Sequence, residues 1–271
     1  MDLATIVGLV LAWGALLACL ILEGGSVGEL FNLPALILVV FGTVGATLIG
    51  TSRKTVQGIS EVLKQVFVEP VQKPLDVVDS LVEYARIARR EGILALENVA
   101  KKIENRFLRK GLELLVDGIP SAIVREILET EIATMQDRHK VRETVFTTLG
   151  GFSPTLGIIG TVMGLISMLA KLNEPGRMGH AIAAAFIATL YGVAFANLLY
   201  LPIASKLRAR TADEVVIYEM IIEGLLSIQS GENPRMVEAR MLAFLPPALR
   251  AEREAAQSQA DHKVVRVRRA A

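Results

Sequence analysis

The chain has 271 residues, 52% of them hydrophobic and 21% charged, with a formal net charge of +1 and a mean hydropathy of +0.47. That balance fits a membrane protein better than a water-soluble domain, and no nucleic-acid partner is expected. Charged residues are absent from 3–22, 30–52, 144–170 and 178–205. Each run is long enough for a helix to cross roughly 30 Å of hydrocarbon. The reading is therefore an all-α membrane protein with four transmembrane helices.

The first hairpin occupies 1–52. Met1-Asp2 carries no basic region, so the first span reads as a retained helix rather than a cleaved signal. Cys19, the single cysteine, lies inside that span and reads as a packing residue. A helical cytoplasmic domain fills 53–143. In "LDVVDSLVEYARIARREG", Leu75, Val78, Val82, Ala85 and Ala88 recur at three- and four-residue steps. Gly92 interrupts, "ILALENVAKKI" resumes the pattern, and "VDGIPS" breaks it again, with Ser121 placed to cap the next helix. From there a stretch free of Gly and Pro runs into the third span.

The second hairpin occupies 144–205 and continues as a helical extension over 206–250, stopped at "SGENP". The tail 251–271 is polar and basic and reads as disordered, near anionic headgroups. Lysine and arginine number 16 in 53–143 and 11 in 206–271, against two (Lys171, Arg177) in the outer connections. That asymmetry puts both termini and the insert in the cytoplasm.

The third span holds "SPTLGIIGTVMGLI". On a helix, Ser153, Gly157, Gly160/Thr161, Gly164 and Ser167/Met168 share one face. The fourth span has a matching stripe of Ala181, Ala185, Ala188/Thr189, Gly192 and Ala196. Small residues let helix backbones approach in lipid, so these stripes either pack on each other within one chain or line an interface with other chains. The first two spans lack comparable stripes and read as more peripheral.

Pro154 and Pro202 lie at the cytoplasmic ends of the third and fourth spans. Each removes a backbone hydrogen bond, giving either two static kinks or two pivots at one membrane face. No Asp, Glu, Lys or Arg sits inside a span, so a titratable carboxylate for ion movement must come from a partner chain. Thr161 and Thr189, each about 12–14 Å from the outer ends, either offer oxygen ligands or bond their own preceding carbonyls. No enzyme constellation, cofactor motif or metal-ligand spacing is present; His139, His180 and His262 are scattered.

"SPTLGIIGTVMGLI", "GHAIAAAFIATLYGVAFANLLYLPIASKL", "RREGILALE" and "EGLLSIQSGENPRMVEARMLAFLPP" together resemble the A subunit of the bacterial flagellar stator, the MotA/PomA family. The resemblance runs from the first helix to Pro246-Pro247. It implies an inner-membrane, ion-driven torque generator with five copies around two copies of a MotB/PomB-like B subunit, whose membrane helix bears an aspartate. It implies that Pro154 and Pro202 couple ion flow to movement. Arg89 or Arg90, with Glu97, matches the charged positions that meet the rotor's FliG-like switch protein. Thr161 and Thr189 match positions where sodium-driven members carry threonine, which favours Na+ over H+. The ExbB/TolQ energisers are the nearest alternative, but they have three spans and an external N-terminus. A passive oligomeric scaffold would leave the threonines and prolines without a task.

Overall fold

The computed structural model describes residues 3–67, 73–170, 173, 175–253 and 255. Lys171 and most of the basic tail lie outside the described residues. Ten α-helices are described: α1 Leu3–Leu22, α2 Leu33–Ile49, α3 Arg53–Phe67, α4 Pro74–Glu91, α5 Leu96–Ala100, α6 Arg106–Val116, α7 Ser121–Leu169, α8 Pro175–Phe195, α9 Leu201–Gln229 and α10 Pro234–Ala243. Among the described residues no strand forms. The chain gathers into two compact units: residues 1–69 with 137–211, and residues 70–136 with 212–271.

In the first unit lie most of the apolar helices. Among the described residues, three helical stretches are by length and composition able to cross a membrane: Leu3–Leu22, Ser121–Leu169 and Met178–Gln229. The second apolar run forms a shorter helix of 17 residues, about 25 Å long. Its start is fixed by chemistry. Asn32 caps it, Oδ1 accepting the Ala35 N–H at 3.0 Å, with Pro34 in the first turn.

α1 buries no residue within the chain. α2 does. Ala35, Val39, Thr43 and Thr47 are buried at four-residue spacing, one face of a helix laid against its neighbours. The Leu38 and Gly42 positions touch Gly160 and Leu156 of α7. The Tyr191 hydroxyl on α8 accepts the Asn32 N–H at 3.2 Å and donates to the Leu30 carbonyl, which ties the entry of α2 to α8. Below them Val62 of α3 is buried with Phe146, Ile203, Ala204 and Leu207.

The second unit has an aliphatic core. Val77, Val78, Leu81, Val82 and Ala85 form the buried face of α4, and they meet Leu112 and Leu115 of α6, Val124 and Leu128 of α7, Met220, Ile221 and Leu225 of α9 and Met241 of α10. Phe107 stacks on Tyr218, centroids 4.2 Å apart, adding to the area term. Burying a side chain of this size stabilises by about 1.5–3 kcal/mol.

Gly92, at φ +87, ends α4 as the sequence indicates. Ser121 does not cap. It is the first residue of α7, and the Pro120 carbonyl accepts from Ile123 and Val124. The Pro120 ring disfavours helical backbone at Ile119 before it, so the helix opens at Pro120, which takes the boundary position that the serine was expected to hold.

Candidate functional site

α7 and α8 cross along their small-residue faces, and the crossing consumes them. A β-carbon on Gly160 would stand 2.6 Å from the Ala188 β-carbon, and one on Gly164 would stand 2.7 Å from the Ala185 β-carbon. At Gly157 the neighbours are the Ala188 carbonyl oxygen at 2.9 Å and the Gly192 α-carbon at 3.2 Å. Gly157, Gly160, Gly164, Ala185 and Gly192 therefore meet one another within the chain. Beside this seam α7 leaves Ile158, Ile159, Val162, Met163 and Ile166 exposed. These large apolar side chains face outward, where lipid or another chain must cover them.

Within the seam the two threonines meet. The Thr161 and Thr189 hydroxyls hydrogen-bond to each other. Thr161 Oγ1 also lies 3.0 Å from the Ala185 carbonyl and 3.2 Å from the Gly157 carbonyl. A hydroxyl has one hydrogen, so Thr161 donates to one of these carbonyls while accepting from Thr189. Four oxygens from two helices thus converge in a stretch free of charged side chains. Among the described residues no group of three or more His, Cys, Asp or Glu is placed to hold a metal ion. Hydroxyl and carbonyl oxygens are instead the hard donors that suit a small monovalent cation or a water wire.

A third hydroxyl joins the helices at a level that sequence reasoning passed over. Ser153, fully buried, donates to the Gly192 carbonyl at 2.9 Å. Serine on a helix ordinarily turns back to its own chain; the place of Ser153 on the face of Gly157, Gly160 and Gly164 is the one sequence signal that it meets another helix.

The prolines differ in local effect. Pro154 lies inside α7, which stays continuous for 49 residues. Before Pro202 the helix widens: Ala196–Tyr200 form a π turn in which the Leu201 N–H donates to the Ala196 carbonyl, five residues back. Proline lacks the N–H that a regular ladder needs next, and the wider turn absorbs the mismatch.

The charged positions lie in the second unit. Arg89 and Arg90 are exposed in the last turn of α4. Arg90 lies 3.8 Å from Glu91, and Arg89 has no ion-pair partner among the described residues. Glu97 pairs with Lys101 at 2.8 Å, and that hydrogen bond and charge hold its carboxyl below the usual carboxylate range. Such exposed pairs add little stability. Leu94, between the two sets, is among the most exposed large apolar side chains.

The model of the MotA/TolQ/ExbB proton channel family matches residues 99–220, and that of the Motility protein A N-terminal region matches residues 6–92. Motility protein A of Bacillus subtilis is 36% identical over 247 residues, covering 91% of this chain and 92% of that protein. Chemotaxis protein PomA of Vibrio alginolyticus is 35% identical, with 93% and 98% covered. Among solved structures, the flagellar MotAB stator complex from Bacillus subtilis matches with a TM-score of 0.87 and 35% identity over 91% of this chain and 97% of that one. The MotAB structure from C. jejuni matches with a TM-score of 0.88 and 34% identity, again with 91% and 97% covered. Sequence and fold agree over nine-tenths of the chain: it belongs to the motility protein A group of the MotA/TolQ/ExbB proton channel family.

Proposed function

We infer that the chain is the A subunit of an ion-driven flagellar stator in the bacterial inner membrane, conducting ions and turning their flow into torque. The observation that carries this reading is the meeting of Thr161 and Thr189 with two backbone carbonyls, in helices that hold no carboxylate of their own. An ion pathway built this way needs an acidic group from elsewhere. A B-type partner supplies it, and the MotAB likenesses support such a partner. The match of residues 6–92 to the Motility protein A N-terminal region favours a stator over the ExbB/TolQ energisers.

The apolar runs make four spans, with α2 the shortest, both termini cytoplasmic, and the segment 53–143 inserted as the torque domain. Five copies surround two copies of the B subunit, which the exposed sides of α7 and α8 contact. The Thr161–Thr189 oxygens take part in passing the cation, Na+ rather than H+, because a dehydrated sodium ion needs several oxygen ligands. Pro154 and Pro202 couple that passage to movement of the cytoplasmic part. Arg89 or Arg90, with Glu97, engages a FliG-like rotor protein of complementary charge.

The test is membrane current in cells making this chain alone, a B-type subunit alone, or both. Current only on co-expression supports the reading. Its absence in cells where both chains co-purify would return the protein to a scaffold.

A further inference from the structure

Among the described residues most helix hydroxyls bond backward along their own helix. Thr47 donates to the Thr43 carbonyl at 2.8 Å, Thr130 to Glu126 at 2.8 Å, Thr144 to Lys140 at 2.8 Å and Thr211 to Leu207 at 3.0 Å. That is the ordinary habit of serine and threonine in helices. Ser153 departs from it, and Thr161, 3.2 Å from its own Gly157 carbonyl, adds a second partner across the crossing. Each reaches a carbonyl of α8: Gly192 for Ser153 and Ala185 for Thr161.

The pair of bonds is spaced by the geometry of two antiparallel helices. Ser153 and Thr161 are about two turns apart on α7, and Ala185 and Gly192 are about two turns apart on α8. Between them lies the backbone contact of Gly157 with Ala188 and Gly192. A glycine contact is smooth, and by itself it resists sliding of one helix past the other poorly. A directional hydrogen bond resists such a slide, since a shift of even one residue, about 1.5 Å, breaks its geometry.

We propose that Ser153 is a positioning residue for the ion pathway: its bond to the Gly192 carbonyl sets the register of α7 on α8 and so holds Thr161 against Thr189. Its place in the chain suits that role. Ser153 directly precedes Pro154, where α7 lacks a backbone donor. Its acceptor, Gly192, lies one turn before the π turn at Ala196–Tyr200. The bond thus clamps the two helices at the point where both ladders are interrupted. Without it, the two interruptions would let the register drift, and the threonine oxygens would drift with it.

The inference rests on the reading of Thr161 and Thr189 as ion-pathway groups, and the experiment separates the two. The measurement is B-subunit-dependent current against external Na+ at fixed proton-motive force, with the amount of assembled complex determined by co-purification. The full chain is compared with Ser153→Ala, Ser153→Cys and Thr161→Ala. Ser153→Ala removes the hydroxyl with little change of volume. It is expected to assemble normally and to raise the half-saturating Na+ concentration roughly three- to tenfold, the range allowed by loss of one interhelical hydrogen bond in a membrane. Ser153→Cys keeps a weak donor and falls between.

An unchanged half-saturation in both serine variants, with Thr161→Ala shifted, overturns the positioning role alone. If Thr161→Ala is also unchanged, the ion-pathway reading falls with it. A shift in the serine variants without one in Thr161→Ala refutes the proposed route through the threonines. Failure of both serine variants to assemble makes Ser153 a folding residue and overturns the proposal as well.

Discussion

Gly157 and Gly192 meet backbone to backbone. A β-carbon on Gly192 would lie 3.0 Å from the Gly157 α-carbon and 2.7 Å from the Ser153 carbonyl oxygen. Neither neighbour is a flexible side-chain tip that could yield. Gly192→Ala and Gly157→Ala are expected to destabilise the folded chain by about 1–3 kcal/mol, the cost of overpacking. Gly8→Ala and Gly14→Ala, where the added carbon meets nothing within 4 Å beyond its own stretch of helix backbone, should be neutral. Thermal unfolding of the detergent-solubilised protein checks this, and equal effects at the two sets would contradict the seam.

Thr161→Val keeps the branched shape and removes the oxygen that contacts Thr189 and two carbonyls. It should leave assembly intact and weaken the Na+ dependence of swimming or current by on the order of tenfold, the scale of losing a charged-group ligand. A response flat in Na+ but steep in pH, in the unaltered protein, would reassign the ion to H+.

Pro202→Ala restores a backbone donor after the π turn. The ladder then has no reason to widen, and Ala196–Tyr200 should relax toward a regular helix. Torque at high load is expected to fall while binding of the B subunit persists. Unchanged torque would make Pro202 a static packing residue.

Reversing the charges at Arg89, Arg90 and Glu97 should abolish most rotation while leaving membrane insertion and current in place. Exposed charges steer association and fix register more than they add affinity. Partial recovery with reversed charges on the rotor protein is the expected companion result, and full motility of the triple reversal would exclude this surface.

Glu97 offers a titration. Lys101 depresses its pKa, so the pair's contribution is present above the ordinary carboxylate range and is lost as pH falls through the lowered value. Lys101→Met should move the Glu97 carboxyl back up toward its ordinary range, as read by NMR. No upward movement would show that the pair does not persist in solution.

Much of the fold was legible because it depends on long patterns. Charge-free runs, the long α7 and the stop after Gln229 are properties of many residues at once, and single local conflicts do not overturn them. Local and pairwise features were harder to read. Ser121 carried the right chemistry for a cap, but Pro120 took the boundary. The small-residue stripes were visible, whereas their partner was not, because a stripe states what it can approach and not which helix does so. Depth counting put Thr161 and Thr189 at one level, yet facing depends on the crossing geometry. The buried face of α2 was hidden for a different reason: in an apolar helix meant for lipid, inward and outward residues share the same chemistry.

The π turn at Ala196–Tyr200 also acts as a phase shifter. It holds one residue more than a regular turn would, so side chains after it are rotated by about 100° relative to an uninterrupted helix. Within the same compact unit, Ile203, Ala204 and Leu207 are buried with Val62 and Phe146 in that rotated frame. A regular turn over the same number of residues would swing those three side chains off their partners, whereas deleting one residue from 196–200 would give a continuous ladder and leave them in phase. The stretch is therefore constrained in a way that composition does not reveal: its length and its turn type must change together, because the packing of Ile203, Ala204 and Leu207 is indexed to both.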